Sequence, residues 1–166
     1  MNYLIVNSTM EKIKLNIVAL SHSVTQNQNY AVVLGEENGK RRLPIVIGGF
    51  EAQAIAISME DMVAPRPLTH DLFKNSMDTF GVTVKEVVIS DLLEGIFYAK
   101  LICEKDGETT EIDSRTSDAI ALAVRYECPI YTMSHIMEEA GVIFEEASNS
   151  PEVKEKQVKK KKDKTL

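Results

Sequence analysis

The chain has 166 residues, 44% hydrophobic and 27% charged, a globular composition that excludes disorder of the whole, and no apolar run approaches the ~20 residues of a membrane-spanning helix. Its net charge of -6 is divided: Glu152 to Leu166 hold seven lysines and three acids, a surplus of +4, while the 151 residues before them hold 12 basic and 22 acidic side chains, a balance of -10. So acidic a body is a poor electrostatic match for nucleic acid, whose phosphates are held by Lys and Arg. Met1 to Met10 lack the basic start and apolar core of a secretory signal. Cys103 and Cys128 match neither a metal-ligand spacing nor a disulfide framework. The expectation is a reduced, cytoplasmic protein with no membrane partner.

Residues 1–10 show no periodicity and read as an N-terminal extension. From Ile13, apolar residues alternate through Leu15, Ile17 and Ala19, the pattern of a half-buried strand. Ser21 to Asn29 is a polar loop that takes in His22, and Tyr30 to Leu34 a second strand. Glu37-Asn38-Gly39 turns the chain into a third strand, Arg41 to Ile47. Pro44 has no amide donor, which places that strand at an edge or a bulge. After Gly48-Gly49, Glu51 to Met59 reads as a helix: Ala52, Ile55, Ala56 and Met59 share one face, while Phe50, Ala54 and Ile57 cover another, so burial on more than one side is expected. Ala64-Pro65-Arg66-Pro67 is a stiff linker. Thr69 is placed to cap a helix running to Phe80, with Gly81 as its stop.

The second half repeats the plan. Val82 to Ser90, Ile96 to Glu104 and Thr109 to Asp113 read as strands, Lys105-Asp106-Gly107 as a turn, and Ser117 to Tyr126 as an Ala-rich helix ended by Pro129. A short strand, Ile130 to Thr132, and a short helix, Ser134 to Ala140, follow. Tyr30-Ala31 matches Tyr98-Ala99, and Gly39 matches Gly107, at an offset of 68. Glu51-Ala52-x-Ala54-x-Ala56 matches Asp118-Ala119-x-Ala121-x-Ala123 at 67. The expected fold is α+β, an internal duplication of a β3α unit over about 11–64 and 82–128, with mixed or antiparallel sheets each covering a helix. Residues 148–166 lack apolar periodicity and read as a disordered Lys-rich tail. The tail is either a solubilising extension or an electrostatic tether for nucleic acid.

Three segments concentrate polar groups. Gly48-Gly49-Phe50-Glu51 exposes amides at a helix start, where an anion is favoured; alternatively Glu51 only offsets the helix dipole. In Arg66-Pro67-Leu68-Thr69-His70-Asp71, the prolines pre-position Arg66 for a phosphate, His70 can act as general acid or base, and Asp71 can orient the ring or hold a metal. The alternative there is a helix cap with an exposed histidine. In Asp113-Ser114-Arg115-Thr116-Ser117-Asp118, the carboxylates of Asp113 and Asp118 can converge on a divalent ion, and Arg115 can hold a phosphate or pair with either acid. A solvated cap cluster is the alternative. His22 and His135 have no comparable company.

At these segments the chain resembles the bifunctional nuclease domain family of bacteria and plants, over Glu11 to Ala147. The resemblance rests on Arg42-Leu43-Pro44-Ile45-Val46-Ile47-Gly48-Gly49-Phe50-Glu51-Ala52, on Arg66-Pro67-Leu68-Thr69-His70-Asp71-Leu72, and on Asp113-Ser114-Arg115-Thr116-Ser117-Asp118-Ala119-Ile120-Ala121-Leu122-Ala123. It implies an α+β fold and a nuclease acting on DNA and RNA. On that reading Asp113, Asp118, Glu51 and Asp71 would supply oxygen ligands for Mg²⁺ or Mn²⁺, His70 would move protons, and Arg66 and Arg115 would bind phosphate. The competing reading is a non-catalytic ligand-binding or adaptor protein in which the same residues form an ion-pair network joining the duplicated halves. A homodimer is expected in either case, because the duplicated unit leaves sheet edge to cover.

Overall fold

The computed structural model describes residues 11–22 and 29–144. The expected N-terminal extension and Lys-rich tail lie outside the described residues. Three strands, β1 (Lys12–His22), β2 (Tyr30–Glu36) and β3 (Arg41–Ile47), lead into helix α1 (Gly49–Met59). After α2 (Thr69–Thr79) come β4 (Thr83–Leu93), β5 (Ile96–Lys105), β6 (Glu108–Arg115) and α3 (Thr116–Tyr126), and the described chain closes with β7 (Ile130–Met133), α4 (Ser134–Ala140) and β8 (Val142–Ile143). The α+β duplication is plain in these bounds: α1 and α3 correspond residue for residue at the offset of 67 read from the alanines. No helix among the described residues is long and apolar enough to cross a membrane.

The strands differ from expectation in one respect. Instead of two sheets, they form one mixed sheet of eight in the order β6-β5-β4-β7-β1-β2-β3-β8. The joint is β7, antiparallel to β1 and parallel to β4. The two meanders therefore run outward from β7 in opposite directions, related by an approximate two-fold. The Asp106-Gly107 and Glu94-Gly95 turns both have positive φ at each residue, the backbone that suits the twist of a tight hairpin.

A bulge in β1 between Ile17 and Ala19 shifts the inward face from Leu15 to Leu20 and leaves Ala19 exposed. That strand runs on to His22, which pairs with Tyr30 instead of lying in the loop. Pro44 is paired to β2 through Val33, but lies beyond the two-residue contact of β3 with β8, so its missing amide faces an unpaired edge.

Helices α1 and α3 pack on each other and on the sheet. Their small residues, Ala52 and Ala54 against Ala119, Ala121 and Ala123, permit close approach, and Ile55 and Ile120 are fully buried between helix and sheet. Burial of each isoleucine is worth about 1.5–3 kcal/mol. The expectation that Phe50 is covered fails: it stands 87% exposed in the first turn of α1. Close packing of α1 on α3 brings their N-termini side by side, and with them the polar segments of both halves.

Candidate active site

At the β6–α3 junction the chain leaves the sheet at Arg115 in extended conformation and enters the helix at Thr116. Thr116 is buried, and its hydroxyl donates to the Phe97 carbonyl at 2.9 Å, which pins the start of α3 to the neighbouring strand. From this fixed point the Arg115 guanidinium reaches both halves. Its Nε donates to Asp118 Oδ2 and its Nη2 to Glu51 Oε1, each at 2.7 Å. Glu51 folds back over its own helix start, its other oxygen so near Gly48 that a Cβ there would stand 2.5 Å from it. Gly48 itself has ordinary extended angles, so the reason for glycine is space.

The second oxygen of Asp118 meets His70 Nε2 at 2.9 Å. Burial pushes the Asp118 carboxyl up, but the hydrogen bonds and charge of Arg115 and His70 outweigh it and hold the group below the usual carboxylate range. An ionised carboxylate only accepts, so the proton of the shared bond sits on Nε2. Glu51, His70, Arg115 and Asp118 line one open groove of about 540 Å³, with Phe50 and Leu68 on its apolar side.

The structure does not bring every expected residue into this groove. Asp113 lies on β6 opposite Lys100 and lines a separate cavity of about 470 Å³. Arg115 is the wall between the two, since it lines both. Asp71 turns away from His70: one oxygen accepts from the Leu68 amide at 2.9 Å and the other from Arg125 Nε at 2.6 Å. These bonds override the upward push of burial and keep its carboxyl low. The α2 N-cap is accordingly Leu68, with Asp71 satisfying the free amide, so the expected Thr69 cap is corrected. Arg66 is exposed, with no acidic partner among the described residues. His135 stands 3.9 Å from Asp91, and His22 packs edge-on against Tyr30, both away from the groove.

Sequence reasoning passed over Arg125. Its side chain is only 5% exposed and donates to Asp71 and, through Nη1, to the carbonyls of Ala54 and Ala121 at 3.0 Å each. It thereby ties α1, α2 and α3 together directly behind His70. The available signal was a lone cation on a helix that is apolar past its first turn, which reads equally well as a charge placed at a helix C-terminus.

As they stand, these donors do not fit a divalent cation, which asks for several free hard oxygens. Asp118 commits both oxygens, Glu51 commits one to a guanidinium, and Asp71 and Asp113 face elsewhere. No group of three His, Cys, Asp or Glu side chains suited to a metal occurs among the described residues.

Residues 32–145 match the bifunctional nuclease domain, so the match runs from within β2 to the end of the described chain. An uncharacterised protein of Mycobacterium tuberculosis strain H37Rv is 42% identical over 127 residues, 76% of each chain. Bifunctional nuclease 1 of Oryza sativa subsp. japonica is 28% identical over 118 residues, 69% of this chain and 36% of the rice protein. Bifunctional nuclease 1 of Arabidopsis thaliana is 28% identical over 116 residues, 68% of this chain and 36% of its own length. The chain therefore spans little more than a third of these plant relatives. Given a domain match over most of the chain and the relative at 42% identity, the protein belongs to the bifunctional nuclease domain family.

Proposed function

We propose that the protein hydrolyses phosphodiester bonds in DNA and RNA at the groove where His70, Asp118 and Arg115 meet. The observation that carries this reading is the 2.9 Å bond between His70 Nε2 and Asp118 Oδ1, joining residues 48 apart in sequence at the wall of an open groove. Asp118 fixes the ring and favours the imidazolium that forms when Nδ1 takes a proton from the attacking water; the imidazolium returns that proton to the leaving oxygen as the P–O bond breaks. Arg115 uses two of its five N–H groups on Glu51 and Asp118. Three donors remain on a side chain 69% exposed, enough for a phosphate oxygen pair and for the charge that develops on it. Arg66, exposed beside Pro67, is a second phosphate contact in this proposal.

No step passes through a cation. Assistance by Mg²⁺ or Mn²⁺ is a separate arm of the test, because either ion would first have to displace Arg115 from Glu51 and Asp118. The experiment is hydrolysis of labelled single-stranded DNA and RNA by wild type and His70→Ala, each with and without EDTA. Loss of a positioned general base lowers kcat by roughly 10²- to 10⁴-fold. Full activity in His70→Ala overturns the site.

A second reading is favoured by one specific observation: Arg115 bridges Glu51 and Asp118, which hold equivalent places in the two halves. On that reading the network fastens the halves of a non-catalytic ligand-binding or adaptor protein, and its removal costs stability with no activity to lose.

A further inference from the structure

Arg115 has a cross-strand partner that the proposed chemistry leaves unused. On β5, Tyr98 stands directly opposite Arg115 in the β5–β6 register, so the two side chains are immediate neighbours on one face of the sheet. That face is opposite the buried Ala99, Leu101 and Cys103. Tyr98 is 40% exposed and lines the 470 Å³ cavity on its side of Arg115, together with Ile96 and Ser117. On the other side, next to Glu51, Phe50 presents its ring to the groove at 87% exposure. Arg115 thus lines both hollows, and each hollow holds one open aromatic residue.

The duplication supplies an internal comparison. Tyr30 is the counterpart of Tyr98, and its ring is covered edge-on by His22 at a centroid distance of 4.9 Å. The half-buried Tyr30 shows what this position does when it only supports the sheet. Tyr98 has no such cover among the described residues, and its apolar neighbours Ile96 and Val46 are likewise exposed.

We infer that Tyr98 and Phe50 are stacking platforms for consecutive unpaired bases of a single-stranded nucleic acid that crosses Arg115, an inference that rests on the phosphodiesterase reading of the same groove. Stacking on open aromatic faces beside a cation is how single strands are held without sequence preference. A base within a duplex cannot enter the cavity without leaving its stack. The occupant is fixed by what Arg115 still offers: two of its N–H groups are used on Glu51 and Asp118, and the remaining donors suit the phosphate that joins two such bases.

The test is fluorescence anisotropy of the full chain with a labelled single-stranded oligonucleotide and with a hairpin duplex of the same sequence. Wild type, Tyr98→Ala, Tyr98→Phe and Phe50→Ala are compared, with thermal melts and light scattering on each. The expected result is at least tenfold tighter binding of the single strand, a loss of roughly tenfold or more in each alanine variant, and near-wild-type binding by Tyr98→Phe. Where cleavage is measurable, KM rises in the alanine variants and kcat holds. Equal affinity for duplex and single strand, unchanged binding by Tyr98→Ala, or a loss that tracks dissociation of an oligomer overturns the inference. Tight single-strand binding with no cleavage by any preparation retains the platform and discards the nuclease reading. His70-dependent cleavage indifferent to Tyr98 and Phe50 does the reverse.

Discussion

Asp71 and Arg125 form a closed pair, Oδ1 to Nε at 2.6 Å, and that pair settles where the neighbouring His70 stands. Asp71 also accepts from the Leu68 amide, so one carboxylate anchors the first turn of α2 to α3 and caps it. The imidazole one residue earlier is thereby delivered to Asp118. The acid nearest in sequence to His70 supports the helix, and the acid that meets the ring comes from α3 in the second repeat.

Removing that anchor is the first prediction. Arg125→Ala leaves Asp71 and the carbonyls of Ala54 and Ala121 without their donor. Because Asp71 remains about a third exposed, water recovers part of the loss, and the expected destabilisation is about 2–3 kcal/mol. Urea denaturation measures it; a change below about 1 kcal/mol would show that α2 is held by other contacts.

Asp118→Ala separates the two readings of the network. If the groove is catalytic, activity on single-stranded DNA and RNA falls by roughly 10²-fold or more at temperatures where the variant is still folded, beyond the drop in melting midpoint that loss of the bonds to Arg115 and His70 brings. A fastening role predicts the same drop in midpoint with no hydrolysis in wild type to lose.

The pH dependence has a definite sign. The Asp118 and Asp71 carboxyls are pushed up by burial and held low by stronger bonds to cations and amides, and Glu36 is held low by Arg41. A carboxyl depressed in the folded protein contributes stability that is fully present above its unfolded value of about 4. That stability is lost as pH falls through the lower folded value. Thermal midpoints should therefore stay level for these groups from pH 7 to about 5 and fall below about 4. If Asp118→Asn shows the same acid loss as wild type, Asp118 is not among the groups responsible.

Self-association is expected at micromolar concentration, as a dimer. Helix α2 has no buried residue, and Leu72 on it, Phe80 at its end and Val63 in the preceding linker are exposed at 59%, 71% and 94%. Apolar groups gathered on one short stretch mark a surface that another molecule covers. Light scattering that returns the mass of a single chain rules the dimer out.

The strands and the paired helices were legible because each depends on local pattern: alternation around Leu15, alanines recurring at 67, glycine after the last helical turn. The single sheet was not, since β7 is four residues long and its two partners lie far away in sequence. The bulge at Val18 was hidden for the same reason, because bulges are set by pairing and not by composition. In the groove, Glu51 and Asp118 could be placed at equivalent helix starts, and Arg115 could be foreseen as a partner of Asp118. That Asp71 looks inward and Asp113 looks into another hollow depends on side-chain direction at a helix start and on strand parity, which a run of polar letters does not disclose. Tyr98 was visible only as a match to Tyr30.

The two-fold arrangement around β7 has a consequence for how many such sites one molecule can carry. If the repeats were identical, every cluster drawing one residue from each would occur twice, in symmetry-related hollows. At the offset of 67, however, the residue of the first repeat that corresponds to Arg115 is Gly48. The mirrored hollow therefore has no guanidinium to span it, and Glu51, the twin of Asp118, answers to the arginine of the other repeat. The divergence of Gly48 from Arg115 makes a two-fold scaffold one-sided: among the described residues, a guanidinium bridging the two equivalent acids occurs once.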